Sequence, residues 1–111
     1  MQNYYIAVDF DGTLVEHKFP EIGEPREDVK QKLFNHINVL NHHGFSPTLI
    51  LWTCREDLPE RAYLTEAVDW CKEHEIPIKY VNENPECDFG YPEKVRKIVA
   101  NEYWDDKAFK V

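Results

Sequence analysis

The sequence has few cysteines and no long apolar run. Its three cysteines are odd in number and form no Cys-x-x-Cys pair, which excludes a disulfide framework and a zinc knuckle. The apolar stretches near residues 4–8 and 49–52 are too short to cross a membrane as a helix. The first residues also lack the basic charge of a signal peptide. We therefore expect a protein of the reducing cytoplasm without a membrane partner.

Positive charge is also scarce, with 13 Lys and Arg against 21 Asp and Glu and a formal net charge of -8. Such an acidic protein is a poor candidate for general binding to nucleic acid or to an anionic membrane. The 111 residues can bury a real core, but they leave no room for two domains of normal size. We expect a single domain over residues 1–111.

Strand-like and helix-like segments alternate along the chain. Tyr4–Val8 is a continuous apolar run of the kind found in parallel strands that are buried on both faces. Further strands are predicted at 48–53, 76–81 and 101–104. This alternation predicts an α/β fold, a Rossmann-like three-layer αβα sandwich with a short, mostly parallel sheet.

Three helices are predicted from apolar residues at helical spacing. Pro25 suits the first turn of the first helix, Gly44 suits its C-terminal cap, and Pro59 suits the start of the second. A third helix is predicted to open at Pro92. The inward faces are predicted to hold Val29, Leu33, Ile37 and Leu40 in the first helix, Leu64, Val68 and Cys71 in the second, and Val95, Ile98 and Val99 in the third.

Polar residues follow the predicted strands where each strand ends. Ligands of open parallel sheets bind at the carboxyl ends of the strands, near the point where strand order reverses. Four places meet this description, and three of them carry groups suited to phosphate or metal chemistry: Asp9, Thr53, Asn82 and Asp105-Asp106.

The run Asp9-Phe10-Asp11-Gly12-Thr13 directly follows the first strand. Two carboxylates two residues apart at a strand end can converge on one site. The glycine permits a sharp turn, while the Thr13 hydroxyl and the turn amides can meet an anion. The competing interpretation is an Asp-Gly turn with solvated acids.

This run resembles the first motif of the haloacid dehalogenase superfamily, most of whose members are aspartate-based phosphohydrolases. Thr53 is similar to the second motif, Lys97 to the lysine of the third, and Asp105-Asp106 to the acidic fourth. The four elements occur in the expected order, and the match covers essentially the whole chain. The resemblance implies the small, capless type, because residues 15–24 and 82–91 are too short to form a cap domain.

The resemblance implies a Mg²⁺-dependent phosphatase with Asp9 as the nucleophile and Asp11 as the general acid and base. It implies phosphate binding by Thr53 and Lys97, with Gly12 and Thr13 assisting from the turn. The implied metal ligands are the Asp9 side chain, the Asp11 backbone carbonyl, Asp106 as a direct ligand, and Asp105 as its water-bridged or orienting neighbour.

Several residues have alternative interpretations. Thr53 also suits a strand interior, Lys97 also suits a solvated helix face, and Lys94 is a rival phosphate binder one turn earlier. Arg55 can reach a leaving group or pair with a neighbouring acid, Glu56 or Asp57. His17 is a candidate for lining the entrance.

The expected substrate is a phosphorylated small molecule, although an open, capless site can also accept a bulky or macromolecular phosphate or be covered by a partner subunit. A polynucleotide end is less favoured, because the basic residues of 94–110 only partly offset the acidic balance. The strand at 101–104 is less apolar than the others and is expected at the sheet edge, which predicts a homo-oligomer. The rival functional hypothesis is a phosphate-sensing or partner-binding module that turns over poorly.

Overall fold

The computed structural model describes residues 2–83 and 100–105, together with the backbone of 109–110. Five strands form one sheet in the order β3-β2-β1-β4-β5. The strands are β1 (Gln2–Val8), β2 (Phe45–Leu51), β3 (Ile78–Val81), β4 (Glu102–Trp104) and β5 (Phe109–Lys110), and the helices are α1 (Glu27–His42) and α2 (Tyr63–Glu73).

The first four strands are parallel, and β5 runs antiparallel to β4. The chain moves outward from β1 to β2 and β3, then returns to the other side of β1 for β4. Strand order therefore reverses at β1, which places the site of interest at its carboxyl end. The predicted Rossmann-like αβα fold with a short, mostly parallel sheet is confirmed.

Both faces of the sheet are buried, as the continuous apolar run of β1 predicts. On one face, α1 and α2 pack against alternate residues of β1 and β2. On the other face, Tyr5, Ala7 and Ile50 are buried. The main cluster includes Ile6, Val8, Leu49 and Leu51 from the strands, Val29, Leu33 and Leu40 from α1, and Ala67, Trp70 and Cys71 from α2.

The helices start later than the prolines predict. Helix α1 begins at Glu27, two residues after Pro25, and α2 begins at Tyr63. Pro59 instead lies in a turn closed by mutual backbone hydrogen bonds between Leu58 and Arg61. Gly44 follows the end of α1 with a φ of 86°, the left-handed conformation that glycine favours after a helix.

The third helix, predicted from Pro92, lies outside the described residues. In the part of the chain that the structure describes, no helix is long and apolar enough to span a membrane.

The edge position predicted for residues 101–104 is wrong. Strand β4 lies between β1 and β5, with Tyr103 paired to Lys110 and Trp104 to Phe109. The low apolar content of β4 has another cause, because its glutamate is held in a buried hydrogen-bond network. The homo-oligomer stays a prediction, but an exposed β4 edge no longer supports it.

The carboxylate of Glu102 is buried and contacts the polar atoms of three aromatic side chains. The Tyr4 hydroxyl donates to it, Trp104 Nε1 donates at 3.0 Å, and His36 Nε2 lies 2.8 Å from it. Burial, then the hydrogen bond to Glu102 and its charge, raise the pKa of Tyr4 to about 12. A buried carboxylate is tolerated when it is satisfied in this way.

We expect Glu102→Gln to lower the free energy of unfolding by about 1–3 kcal/mol. The glutamine has one acceptor oxygen where the carboxylate has two, and its NH₂ group would face a hydrogen-bond donor. Urea denaturation measures this change. Glu73→Gln, at an exposed position of α2, is the control and should change stability by less than about 0.5 kcal/mol. Equal stabilities for the two variants would show that the network does not support the fold.

Candidate functional site

A cleft of about 390 Å³ lies beyond the carboxyl ends of β1 and β2. It opens where the order of strands reverses, the position at which parallel sheets usually bind ligands. The residues that line it come from the first motif, from the loop that follows it and from the segment after β2. They are Asp9, Asp11, His17, Phe19, Thr53, Cys54 and Arg55.

The end of β1 is fixed by strands on both sides. The Asp9 amide donates to the Trp104 carbonyl at 2.8 Å, and the Trp52 amide donates to the Val8 carbonyl at 2.9 Å. The Phe10 amide donates at 2.8 Å to Oδ1 of Asp9, which orients that carboxylate. The sheet therefore fixes the Asp9 backbone, and the first amide of the following turn orients its side chain.

A tight turn follows β1 and returns the second carboxylate to the cleft. The Phe10 carbonyl accepts hydrogen bonds from Thr13 and Leu14 at 3.1 and 3.0 Å. The Phe10 ring is fully buried and packs edge-to-face on Trp70. Because Phe10 points into the core, Asp9 and Asp11 on either side of it both line the cleft, as the motif predicts.

Gly12 and Thr13 belong to this turn and do not line the cleft. Gly12 adopts a φ of 87°, its amide donates to the Val15 carbonyl at 2.8 Å, and its carbonyl accepts from Arg26 Nη1 at 3.1 Å. Thr13 is fully buried, and its Oγ1 has no hydrogen-bond partner in the structure. The amides of both residues are bonded within the turn. Phosphate binding by Gly12 and Thr13 stays a prediction, and these bonds do not support it.

Arg55 pairs with Asp11 across the cleft. Nε donates to Oδ2 and Nη2 to Oδ1, each at 2.8 Å, the two-pronged geometry that arginine forms best. The neighbouring-acid alternative is therefore wrong, because Asp57 accepts from Thr65 instead and Glu56 is exposed. The sequence held no local signal for this pair, since Arg55 and Asp11 are 44 residues apart.

Thr53 stands at the end of β2 beside the next strand. Its amide donates to Oδ1 of Asn82 at 2.8 Å, and its Oγ1 accepts from the Arg55 amide at 3.2 Å. The Asn82 amide in turn donates to the Leu51 carbonyl at 2.8 Å. The two polar strand ends predicted at Thr53 and Asn82 therefore meet, and the Thr53 hydroxyl retains its proton to donate.

The loop after the first motif forms one wall of the cleft. His17 lines the entrance as predicted, and Phe19, which the sequence did not single out, lines it with half of its surface exposed. The loop is closed at its base, where the Glu16 amide donates to the Glu24 carbonyl at 2.8 Å. A Cβ on Gly23 would lie 2.0 Å from the Glu16 carbonyl oxygen, so this closure requires glycine.

Two of the predicted site residues, Lys97 and Asp106, lie outside the described residues, as does the rival Lys94. Asp105 directly follows β4, the neighbour of β1, and is half-buried. Carboxylate oxygens from Asp9 and Asp105 are ligands of the type that Mg²⁺ prefers. Within residues 2–83 and 100–105, no three His, Cys, Asp or Glu side chains are grouped so that they could hold a metal ion.

A solved structure of a conserved protein from Bacteroides thetaiotaomicron is similar to this chain. The two are 34% identical with a TM-score of 0.69, and the match covers 97% of this chain and 79% of the other. At this identity and coverage, the chain belongs to the same family as that protein, whose description assigns it no function. No protein-family model matches the sequence, and a comparison with curated proteins finds no match.

Proposed function

We propose that this protein is a capless phosphatase of the haloacid dehalogenase type, a Mg²⁺-dependent hydrolase that cleaves phosphate monoesters through an aspartyl-phosphate. One observation carries the proposal: Asp9, Asp11 and Thr53 line a single cleft at the reversal of strand order. Solvated acids in a simple Asp-Gly turn would have no reason to converge with a hydroxyl from another strand.

The first step is attack by an Asp9 carboxylate oxygen on the phosphorus of the substrate. The bond from phosphorus to the leaving oxygen breaks, and the leaving oxygen takes a proton from Asp11. The Thr53 hydroxyl, at the end of the neighbouring strand, donates to a non-bridging phosphate oxygen. Lys97, outside the described residues, is proposed as a second phosphate ligand.

The second step restores the protein. Asp11, now a carboxylate, takes a proton from water as the water oxygen attacks the aspartyl-phosphate. Inorganic phosphate leaves, Asp9 becomes a carboxylate again, and Asp11 again holds a proton. The same side chain therefore acts as acid and then as base.

The proposed metal ligands are Asp9, Asp105 and the Asp11 carbonyl, with Asp106 outside the described residues. A bound Mg²⁺ would neutralise charge on the phosphate beside these carboxylates. The described donors fit this ion by type, since all are oxygens.

A phosphorylated small molecule is the proposed substrate. The cleft is open, and the described loop of residues 9–26 between β1 and α1 holds no cap domain. A polynucleotide end is less favoured because the net charge of -8 repels a polyanion. The cytoplasm stays the proposed compartment, since Cys54 and Cys71 are free thiols.

A panel of phosphate monoesters tests the proposal. With Mg²⁺ present, we expect release of inorganic phosphate from 4-nitrophenyl phosphate and from at least one phosphorylated metabolite, measured as free phosphate. A parallel titration with beryllofluoride, which mimics a phosphoryl group on aspartate, measures occupancy of the site. Tight binding of beryllofluoride without turnover of any ester would instead favour the rival, a phosphate-sensing or partner-binding module.

A further inference from the structure

Arg55 is the largest fully buried side chain in the described part of the protein. Its side chain is 1% exposed, and its carboxylate partner Asp11 is 15% exposed at the cleft. Removing a guanidinium from water costs several kcal/mol, which pairing only partly offsets, so such a pair is weak evidence of a stabilising role. A role in placing the Asp11 carboxylate accounts better for this burial.

The guanidinium also holds the cleft wall. Nη2 donates to the Glu21 carbonyl at 3.0 Å, and Nη1 donates to the Pro20 carbonyl at 3.4 Å. Nearly all of its N–H groups are therefore engaged, by one carboxylate and two backbone carbonyls. Arg55 thus ties the loop after the first motif to Asp11.

Two aromatic rings pack against the guanidinium. The Arg55 Cζ lies 5.2 Å from the centre of the Phe10 ring and 4.9 Å from that of Phe19. Phe10 belongs to the core and Phe19 to the half-exposed wall of the cleft. These contacts help to hold the planar guanidinium with two donors directed at Asp11, and lysine cannot reproduce this geometry.

We propose that Arg55 is a positioning residue for Asp11, which sets the carboxyl group at the leaving-group side of the cleft and couples its orientation to the Phe19–Glu21 wall. This inference rests on the proposed function. It predicts which step a loss of Arg55 slows, namely the proton transfer from Asp11 to the leaving oxygen. Binding of the phosphate group itself is expected to change less.

Leaving-group dependence separates positioning from general support of the fold. Phenyl phosphate and 4-nitrophenyl phosphate have nearly the same shape, but the phenolate needs the proton more than the nitrophenolate does. Arg55→Lys should lower kcat for phenyl phosphate about tenfold more than kcat for 4-nitrophenyl phosphate, with a smaller change in KM. Asp11→Asn should show the same preference, and the double variant should add little to it.

Arg61→Lys is the matched control. Arg61 forms a similar fork with Glu66 and also pairs with Glu21, so its replacement loosens the same loop without touching Asp11. In Arg61→Lys, the ratio of kcat for 4-nitrophenyl phosphate to kcat for phenyl phosphate should equal the wild-type ratio. If Arg55→Lys does not fold, Phe19→Ala removes one of the two rings at an exposed position and should shift the ratio in the same direction.

Two outcomes would overturn the inference while the proposed function stands. Arg55→Lys, or Phe19→Ala in its place, would lower kcat equally for both esters if the arginine only supported the fold. A rise in KM with no change in kcat would mean that Arg55 binds the phosphate directly. A wild-type protein that releases phosphate from neither ester would contradict the proposed function, and the inference would fall with it.

Discussion

Asp9→Asn is expected to lower the rate of phosphate release by roughly a thousandfold or more, because an amide oxygen is a far weaker nucleophile than a carboxylate. The substitution is nearly isosteric, and its amide oxygen can still accept the Phe10 amide that now donates to Asp9. The fold should therefore persist while the reaction stops. Initial rates on 4-nitrophenyl phosphate, with thermal unfolding as a check on the fold, measure both effects.

Asp69→Asn provides the control for this experiment. Asp69 lies on the exposed side of α2, so the same chemical change there should leave the rate unaltered. Mass spectrometry of acid-quenched protein should detect a phosphoryl group on the wild type and none on Asp9→Asn. Turnover by Asp9→Asn within about tenfold of the wild-type rate would rule out Asp9 as the nucleophile.

Removal of divalent cations is expected to bring turnover to the background level, and added Mg²⁺ should restore it. The carboxylates of Asp9 and Asp105 lie at or beside the switch point of a protein whose formal charge is already -8, while Asp11 is paired with Arg55. A phosphate monoester entering this site is repelled unless a cation offsets the charge. Rates measured with excess EDTA, then with increasing Mg²⁺, provide the test.

Asp105→Asn links this requirement to one residue. It should raise the Mg²⁺ concentration for half-maximal turnover by roughly tenfold to a hundredfold, the range for losing a ligand or the group that orients it. Asp69→Asn is again the control and should not shift the Mg²⁺ titration. Full activity in EDTA would contradict the metal requirement, and an unshifted titration for Asp105→Asn would remove that residue from the ligand set.

The strands could be predicted because burial on both faces leaves a local mark. The apolar run at Tyr4–Val8 predicts a buried parallel strand, and the structure has β1 at Gln2–Val8. The bounds of strands and the starts of helices were predicted less accurately. Pro25 and Pro59 precede their helices by a few residues, because a proline suits a turn just before a helix as well as the first turn itself.

Residues were assigned to the candidate site with unequal success. Asp9, Asp11 and Thr53 were found because each follows a recognisable strand, and the structure brings them to one cleft. Phe19 was missed because nothing in a polar loop distinguishes a ring that lines a cleft from one that faces solvent. Arg55 was weighed, but the acids considered for it were its sequence neighbours Glu56 and Asp57 and not Asp11.

The sequence by itself determined the local part of this protein: the approximate positions of the four parallel strands, and that carboxylates and a hydroxyl follow them. These properties depend on neighbours along the chain, through the period of burial and the turn chemistry of Gly12. Only the tertiary structure decided the partners. It set Arg55 against Asp11, 44 residues away, and surrounded Glu102 with donors from β1, α1 and β4. The physical reason is that a charge pairs with whatever the order of strands brings within reach, and no local pattern records that order.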